Sequence, residues 1–288
     1  MFKFLHRSGI AAVLAVGLLA ADPASAAHLF VSQFGNDAGD GSWSSPFRTL
    51  QAAADAASDG DVIQLEMGGD YGPVKINNKS LTIMSTTRGG IYSPGKSAIV
   101  FAGGANDVLT LIGLTIAMGY SPFNAIVFNA GLKLIMLDML IQQGTGGASG
   151  LFFRPNTNSE LNMRDTMINE FGTSGMGAGI RVAPRNGADV IGAIINTTIL
   201  NSLIGLSVLA AAGSSVDLAV DPSYIGGGVD GVVSSGGKAR VRIKDSVIAN
   251  NSGRGLKHSN NGKIISLGGN SVVANGANGN FTSTVLPK

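Results

Sequence analysis

A short apolar–polar rhythm that returns every 23 to 31 residues limits what this chain can fold into. It is plainest between Val241 and Leu256. Val241 and Ile243 alternate with Arg242 and Lys244, Asp245-Ser246 breaks the run, and Val247-Ile248 resumes it. Asn250 to Gly253 then turns, and Gly255-Leu256 opens another apolar step. Period-two alternation over so few residues, punctuated by Asp, Asn, Ser and Gly, predicts three short strands joined by tight turns. Traced upstream, the apolar residue before the first turn is Ile243, Val220, Ile194, Met163, Met136 and Leu111. The residue opening the third strand is Leu256, Val232, Leu206, Ile180, Leu151 and Ile126. Two columns with one period predict a β-solenoid. One coil cannot bury its own apolar residues, so successive coils must stack. The stretch from Asp61 to Ala274 holds roughly eight coils, which at about 4.8 Å each make a rod about 40 Å long.

Composition agrees. With 42 glycines in 288 residues and only 13% charged side chains, the chain is rich in turn formers and poor in long helix formers. It has no cysteine, which excludes disulfides, thiolate metal sites and a cysteine nucleophile. Residues 1–26 read as a secretory signal peptide: Lys3, His6 and Arg7, then apolar Ile10 to Ala21, then Ala24-Ser25-Ala26. The apolar run is too short to span a bilayer comfortably, and no later stretch is long and apolar enough to do so. The expectation is an exported bacterial protein, periplasmic or secreted, with one domain over 27–288. Within it, 27–60 forms an N-terminal cap, 61–274 the coils and 275–288 a C-terminal cap or tail. In the cap, Ser45 is the expected N-cap, Pro46 the first helical residue and Gly60 the C-cap, with Leu50, Ala53, Ala54 and Ala57 on one face.

Charge is unevenly spread. From His28 to Asp70 there are seven acids and one base, Arg48; from Lys238 to Lys263 there are seven bases and one acid, Asp245. Sequence order is axial order in a solenoid, so the rod should be dipolar.

The order Phe30-Val31-Ser32, Gly35-Asn36-Asp37, Gly41, Ser45-Pro46-Phe47-Arg48-Thr49-Leu50, Ala52-Ala53, Gly60-Asp61-Val62-Ile63 and Tyr71 resembles a known opening. It is that of bacterial right-handed parallel β-helix proteins of the pectin-lyase-like superfamily. The resemblance implies an all-β, single-stranded right-handed parallel β-helix of three-strand coils with an N-terminal capping helix. It implies no single activity, because the superfamily holds lyases, hydrolases, epimerases, adhesins and phage tailspikes.

Four features are candidates for function. Asp138, Asp165, Asn196, Asp245 and Asn270 each stand three residues before an apolar one, where Asp and Asn suit tight turns. Asp138 and Asp165, in adjacent coils, are also a candidate calcium pair. The superfamily's lyases use such sites, usually with three or more acids and an Arg or Lys base; here Arg164 or Arg181 is the candidate base. Second, Arg242-Ile243-Lys244 matches a tripeptide of the polygalacturonase branch, yet the acid pair that inverting hydrolysis needs is missing. Third, the outward positions of the third strand are Val127, Phe152, Arg181, Ser207, Val233 and Lys257, with few aromatic platforms for sugar. Fourth, Arg242, Lys244, Arg254 and Lys257 are the candidate set for binding an acidic polysaccharide or cell-surface glycan. Nucleic acid is disfavoured, because the patch lacks interleaved aromatics. The favoured expectation is a non-catalytic carbohydrate- or surface-binding protein without cofactor. The alternative is a calcium-assisted polysaccharide lyase acting by β-elimination on a uronate polymer; a stacking or adhesive rod is third.

Overall fold

A computed structural model describes residues 26–66 and 68–285. The signal peptide read at 1–26 therefore lies outside the described residues, except for Ala26. Strands of two to seven residues recur in threes and stack into three parallel sheets, of eleven, eight and eight strands. Each coil contributes a strand to the first sheet (for example Ala239–Ile243), then the second (Val247–Ala249), then the third (Leu256–Ser259). Among the described residues no helix is long and apolar enough to cross a membrane.

Both sequence columns are ladders in the structure. Leu111, Met136, Met163, Ile194, Val220 and Ile243 are successive register partners in the first sheet. Ile126, Leu151, Ile180, Leu206, Val232 and Leu256 are partners in the third. All twelve are buried, so alternation along each strand turns stacked Leu, Ile, Val and Met into one continuous core. The ladders run further back than the sequence rhythm. Leu111 pairs with Ile83, Ile83 with Ile63 and Ile63 with Leu29, so the earliest coils share the register of the rest. The strand His28–Val31, expected to belong to the cap, is the first strand of the first sheet.

The capping helix spans Leu50–Ala56, with Thr49 as N-cap and Ala57 as C-cap. It starts later than Ser45-Pro46 would set it, because the backbone at 46–47 is already used. The Phe47 amide donates to the Phe30 carbonyl at 2.9 Å and its carbonyl accepts from the Ser32 amide at 2.9 Å, covering the free edge of the first strand. Asp37 fixes the new start: its Oδ1 accepts the Arg48 and Thr49 amides, each at 2.8 Å. Thr49 Oγ1 in turn accepts the Ala52 amide at 3.2 Å. Leu50, Ala53, Ala54 and Ala57 are buried, as their spacing requires. At the other end, Ser283–Thr284 adds a last short strand to the first sheet.

The turn column explains its residue types. Asp138, Asp165, Asn196 and Asp245 have φ of 53°, 52°, 46° and 46°, the left-handed region that Asn and Asp tolerate better than other side chains. Their amides donate to carbonyls of the next coil at 3.0–3.2 Å. Asp165→Val should therefore cost about 1–2 kcal/mol, whereas Asp165→Gly should be nearly neutral. Urea midpoints measure both; equal losses would mean that the carboxylate, not the dihedral, matters there.

Candidate functional site

The outward face of the third sheet sets two arginines over one phenylalanine and a third beside them. Phe152 and Arg181 are register partners on neighbouring strands, Ser149–Phe153 and Ala178–Val182. Arg154 follows two residues after Phe152 and returns to the same face. Arg185 sits in the turn after the Arg181 strand. The guanidinium carbons of Arg154 and Arg181 stand 5.0 and 4.9 Å from the Phe152 ring centroid, within cation–π range. Arg154 Nε donates to Asn129 Oδ1 at 2.9 Å, and Arg185 Nε donates to the Arg154 carbonyl at 3.3 Å.

None of the three arginines pairs with a carboxylate among the described residues. Arg181 Nε is buried without a hydrogen-bond partner. Burial pushes the Arg181 guanidinium below its usual pKa, and repulsion from Arg154 adds to the effect. Burial does the same to Arg154, with repulsion from Arg185. All three line a groove of about 510 Å³, whose other walls include Leu209, Ala211 and Asn260. Planar guanidinium forks on an apolar floor suit a ligand with carboxylate or sulfate groups on a partly apolar ring.

The residues singled out from the sequence fall elsewhere, Phe152 and Arg181 excepted. Asp138, Asp165 and Asn196 line a second groove of about 410 Å³, at the turn between the first and second sheets. Arg88 pairs with Asp138, reaching across the coil of Gly113. Asp165 accepts from Asn196 Nδ2 at 2.6 Å and lies 3.8 Å from Arg164 Nε. This donor set does not fit calcium: there are two carboxylates, each beside a guanidinium, and six to eight oxygens are needed. No cluster of three or more acids or histidines able to hold a metal exists among the described residues. Arg181 lines the arginine groove, not this one.

The basic set is divided between faces. Arg242 lies on the first sheet and pairs with Asp217 of the neighbouring strand. Lys244 Nζ stands 2.9 Å from Asp245 and 3.8 Å from Asp221, and these acids hold its pKa above the usual range. Lys257 lies on the third sheet, 2.7 Å from largely buried Asp230. Arg254 is exposed and has no ion pair among the described residues. Val127 is buried, and Phe152 is half-buried beneath its two arginines, so neither forms an open apolar patch. Trp43 packs edge-on against Phe30 at 5.3 Å yet is 68% exposed.

Sequence reasoning missed Arg154 and Arg185. It followed one outward column of the third strand; the second, two residues on, runs through Asn129 and Arg154. Weighing both columns together would have brought Arg154 beside Arg181.

No protein-family model matches the chain, and no curated protein matches its sequence. Among solved structures, pectate lyase Pel9A matches with a TM-score of 0.53 at 15% identity, over 91% of this chain and 73% of that one. The chain has the pectin-lyase-like parallel β-helix fold. A rhamnogalacturonan lyase matches equally well, with a TM-score of 0.53 at 11% identity, over 83% of this chain and 72% of that one. At such identities a pectin-lyase-like fold is all that is shared, and any activity rests on this chain's own side chains.

Proposed function

We propose that this β-helix is an exported bacterial protein that binds an acidic polysaccharide, without turning it over, in the arginine groove of the third sheet. The observation that carries this reading is the cluster of Arg154 and Arg181 over Phe152, with Arg185 beside them and no carboxylate partner. Bringing three cations together, two of them partly desolvated, costs free energy that a bound polyanion returns. Leu209, Ala210 and Ala211 on the groove wall supply apolar surface for a sugar ring. The two structural neighbours are named for lyases of pectate and rhamnogalacturonan, which supports a carbohydrate ligand. The basic set Arg242, Lys244, Arg254 and Lys257 is the competing location. Three of those four cations already have acid partners, which favours the arginine groove.

A lyase reading has one observation in its favour: Arg181 has a buried, orphaned Nε, and burial lowers its pKa, the direction an arginine base needs. In that reading a neutral Arg181 takes the C5 proton of a uronate whose carboxylate Arg154 and Arg185 hold. The C4–O bond breaks as the C4–C5 double bond forms, and the leaving oxygen takes a proton from water or from the protonated Arg181. The Asp138–Asp165 groove is separate from Arg181 and would serve calcium only if Arg88 and Arg164 moved away.

The test is a panel of anionic and neutral polysaccharides, with calcium and with chelator. It follows co-sedimentation, ultraviolet absorbance of unsaturated product and new reducing ends. Binding of acidic polymers only, with no product, is expected. Arg181→Gln should weaken binding about 10- to 100-fold, the worth of one charge-assisted contact, while Arg254→Gln leaves it unchanged. Unsaturated product abolished by Arg181→Gln would replace this reading with the lyase. Binding lost in Arg254→Gln but kept in Arg181→Gln would move the site to the basic set.

A further inference from the structure

The two ends of the rod differ in charge and in closure. At the N-terminal end, Asp37, Asp40, Asp55, Asp59 and Asp70 are exposed, and none forms an ion pair among the described residues. Toward the C-terminal end, Lys238, Arg240, Arg254 and Lys263 are exposed and likewise unpaired. The last acid in the chain is Asp245, so the final coil is purely basic. On the first sheet Arg240 and Lys263 are register partners, two like charges side by side. Such a pair is destabilising by itself and favourable beside a carboxylate.

Closure follows the same polarity. The N-terminal end is sealed on every sheet. Phe30 N–H donates to the Gly41 carbonyl at 2.8 Å, Lys75 N–H to Gln51 Oε1 of the capping helix at 2.8 Å, and Gly90 N–H to the Gly69 carbonyl at 3.0 Å. Among the described residues the C-terminal end has no helix. Leu256–Ser259 and Ser271–Val273 are the outermost strands of the third and second sheets among the described residues. Only the start of the former is covered, where Gly255 and Leu256 N–H donate to the Ala277 and Asn278 carbonyls at 2.8 and 2.9 Å. Val273 and Val285 are exposed there, as Phe34 is in the N-terminal loop. A basic, partly apolar end covered only by the short strand Ser283–Thr284 and by residues 276–279 is where a solenoid gains from a further cover.

We infer that the cover is a second copy of this chain, with the acidic N-terminal end of one rod seated on the basic C-terminal end of the next. A head-to-tail contact uses different surfaces on its two sides and does not close on itself, so it builds linear filaments. Charge complementarity fixes the polarity: tail-to-tail contact sets base against base, and head-to-head contact sets acid on acid. The contact is independent of any glycan in the arginine groove.

The test is sedimentation velocity of the purified protein, without polysaccharide, from micromolar to several hundred micromolar. Association is expected to rise with concentration at low salt and to weaken about tenfold or more on raising salt from 50 to 500 mM. Arg240→Glu/Lys263→Glu should be monomeric, as should Asp40→Lys/Asp55→Lys. Mixed in equal amounts, the two variants should associate again and alternate along the filament, because one then carries two acidic ends and the other two basic ends. That rescue also shows that both variants are folded. A wild type that stays monomeric throughout would overturn the inference. So would association unchanged by either charge reversal, or variants that fail to pair with each other.

Discussion

Gly205→Val is expected to cost about 3 kcal/mol or more, the upper end of what overpacking a well-filled core does. A Cβ at Gly205 would lie 2.2 Å from Ile225 Cγ2 and 2.7 Å from the Gly231 carbonyl oxygen. The site belongs to a column. Gly150, Gly179, Gly205, Gly231 and Gly255 each precede a residue of the third-sheet ladder. A Cβ on them would meet Ile168, Ile199, Ile225, Ile248 and Val272 of the second sheet at 2.6, 2.3, 2.2, 2.6 and 2.9 Å. None of these glycines has a positive φ, so close approach of two sheets, not backbone conformation, demands them. Ala98 and Ala125 fill the same position in early coils, fully buried, so Gly205→Ala should cost clearly less than Gly205→Val. Guanidinium unfolding of the three proteins gives the order; Val tolerated as well as Ala would mean the sheets separate easily at this corner.

Phe128→Ala should cost about 3–5 kcal/mol, against a total of roughly 5–15 kcal/mol for an ordinary domain. Phe128 is the middle ring of a fully buried stack, 5.2 Å from Phe101 and 4.6 Å from Phe153 between centroids. Its removal leaves a cavity and breaks both ring contacts. Coils touch only their neighbours, so the damage should stay local. Hydrogen exchange should speed up first in Ile99–Ala102, Ile126–Ala130 and Ser149–Phe153, while Ala239–Ile243 and Lys263–Ser266 keep their protection. Uniform loss of protection along the rod would show that the solenoid unfolds as one unit.

The fold was legible because its repeat is written in buried residues. A column such as Leu111 to Ile243 has one requirement, apolar and inward, and each coil restates it. The glycine column was equally regular, yet glycine also marks turns, so its packing role needed the distance to Ile225. The helix start was misplaced because Ser45-Pro46 is a sound local signal overruled by a distant partner: Phe47 is drawn to the edge of the first strand. The arginine groove was harder to see. Arg154, Arg181 and Arg185 lie up to 31 residues apart in sequence, and they meet only once the register of two strands and the reach of three side chains are known. The basic set at Arg242 to Lys257 drew notice because like charges cluster in sequence. Apart from Asp245 beside Lys244, its acid partners Asp217, Asp221 and Asp230 come from the preceding coil, out of sight of a local count.

The central claim, an acidic glycan held by the third-sheet arginines, is tested most directly by calorimetric titration of an oligouronate into wild type, Arg154→Gln/Arg181→Gln and Arg242→Gln/Arg254→Gln. Saturable, salt-sensitive binding by the wild type and the last variant, with loss of about 100-fold or more in the first, is the predicted result. Equal affinity in all three proteins, or no heat of binding in the wild type with any acidic oligosaccharide, would contradict it.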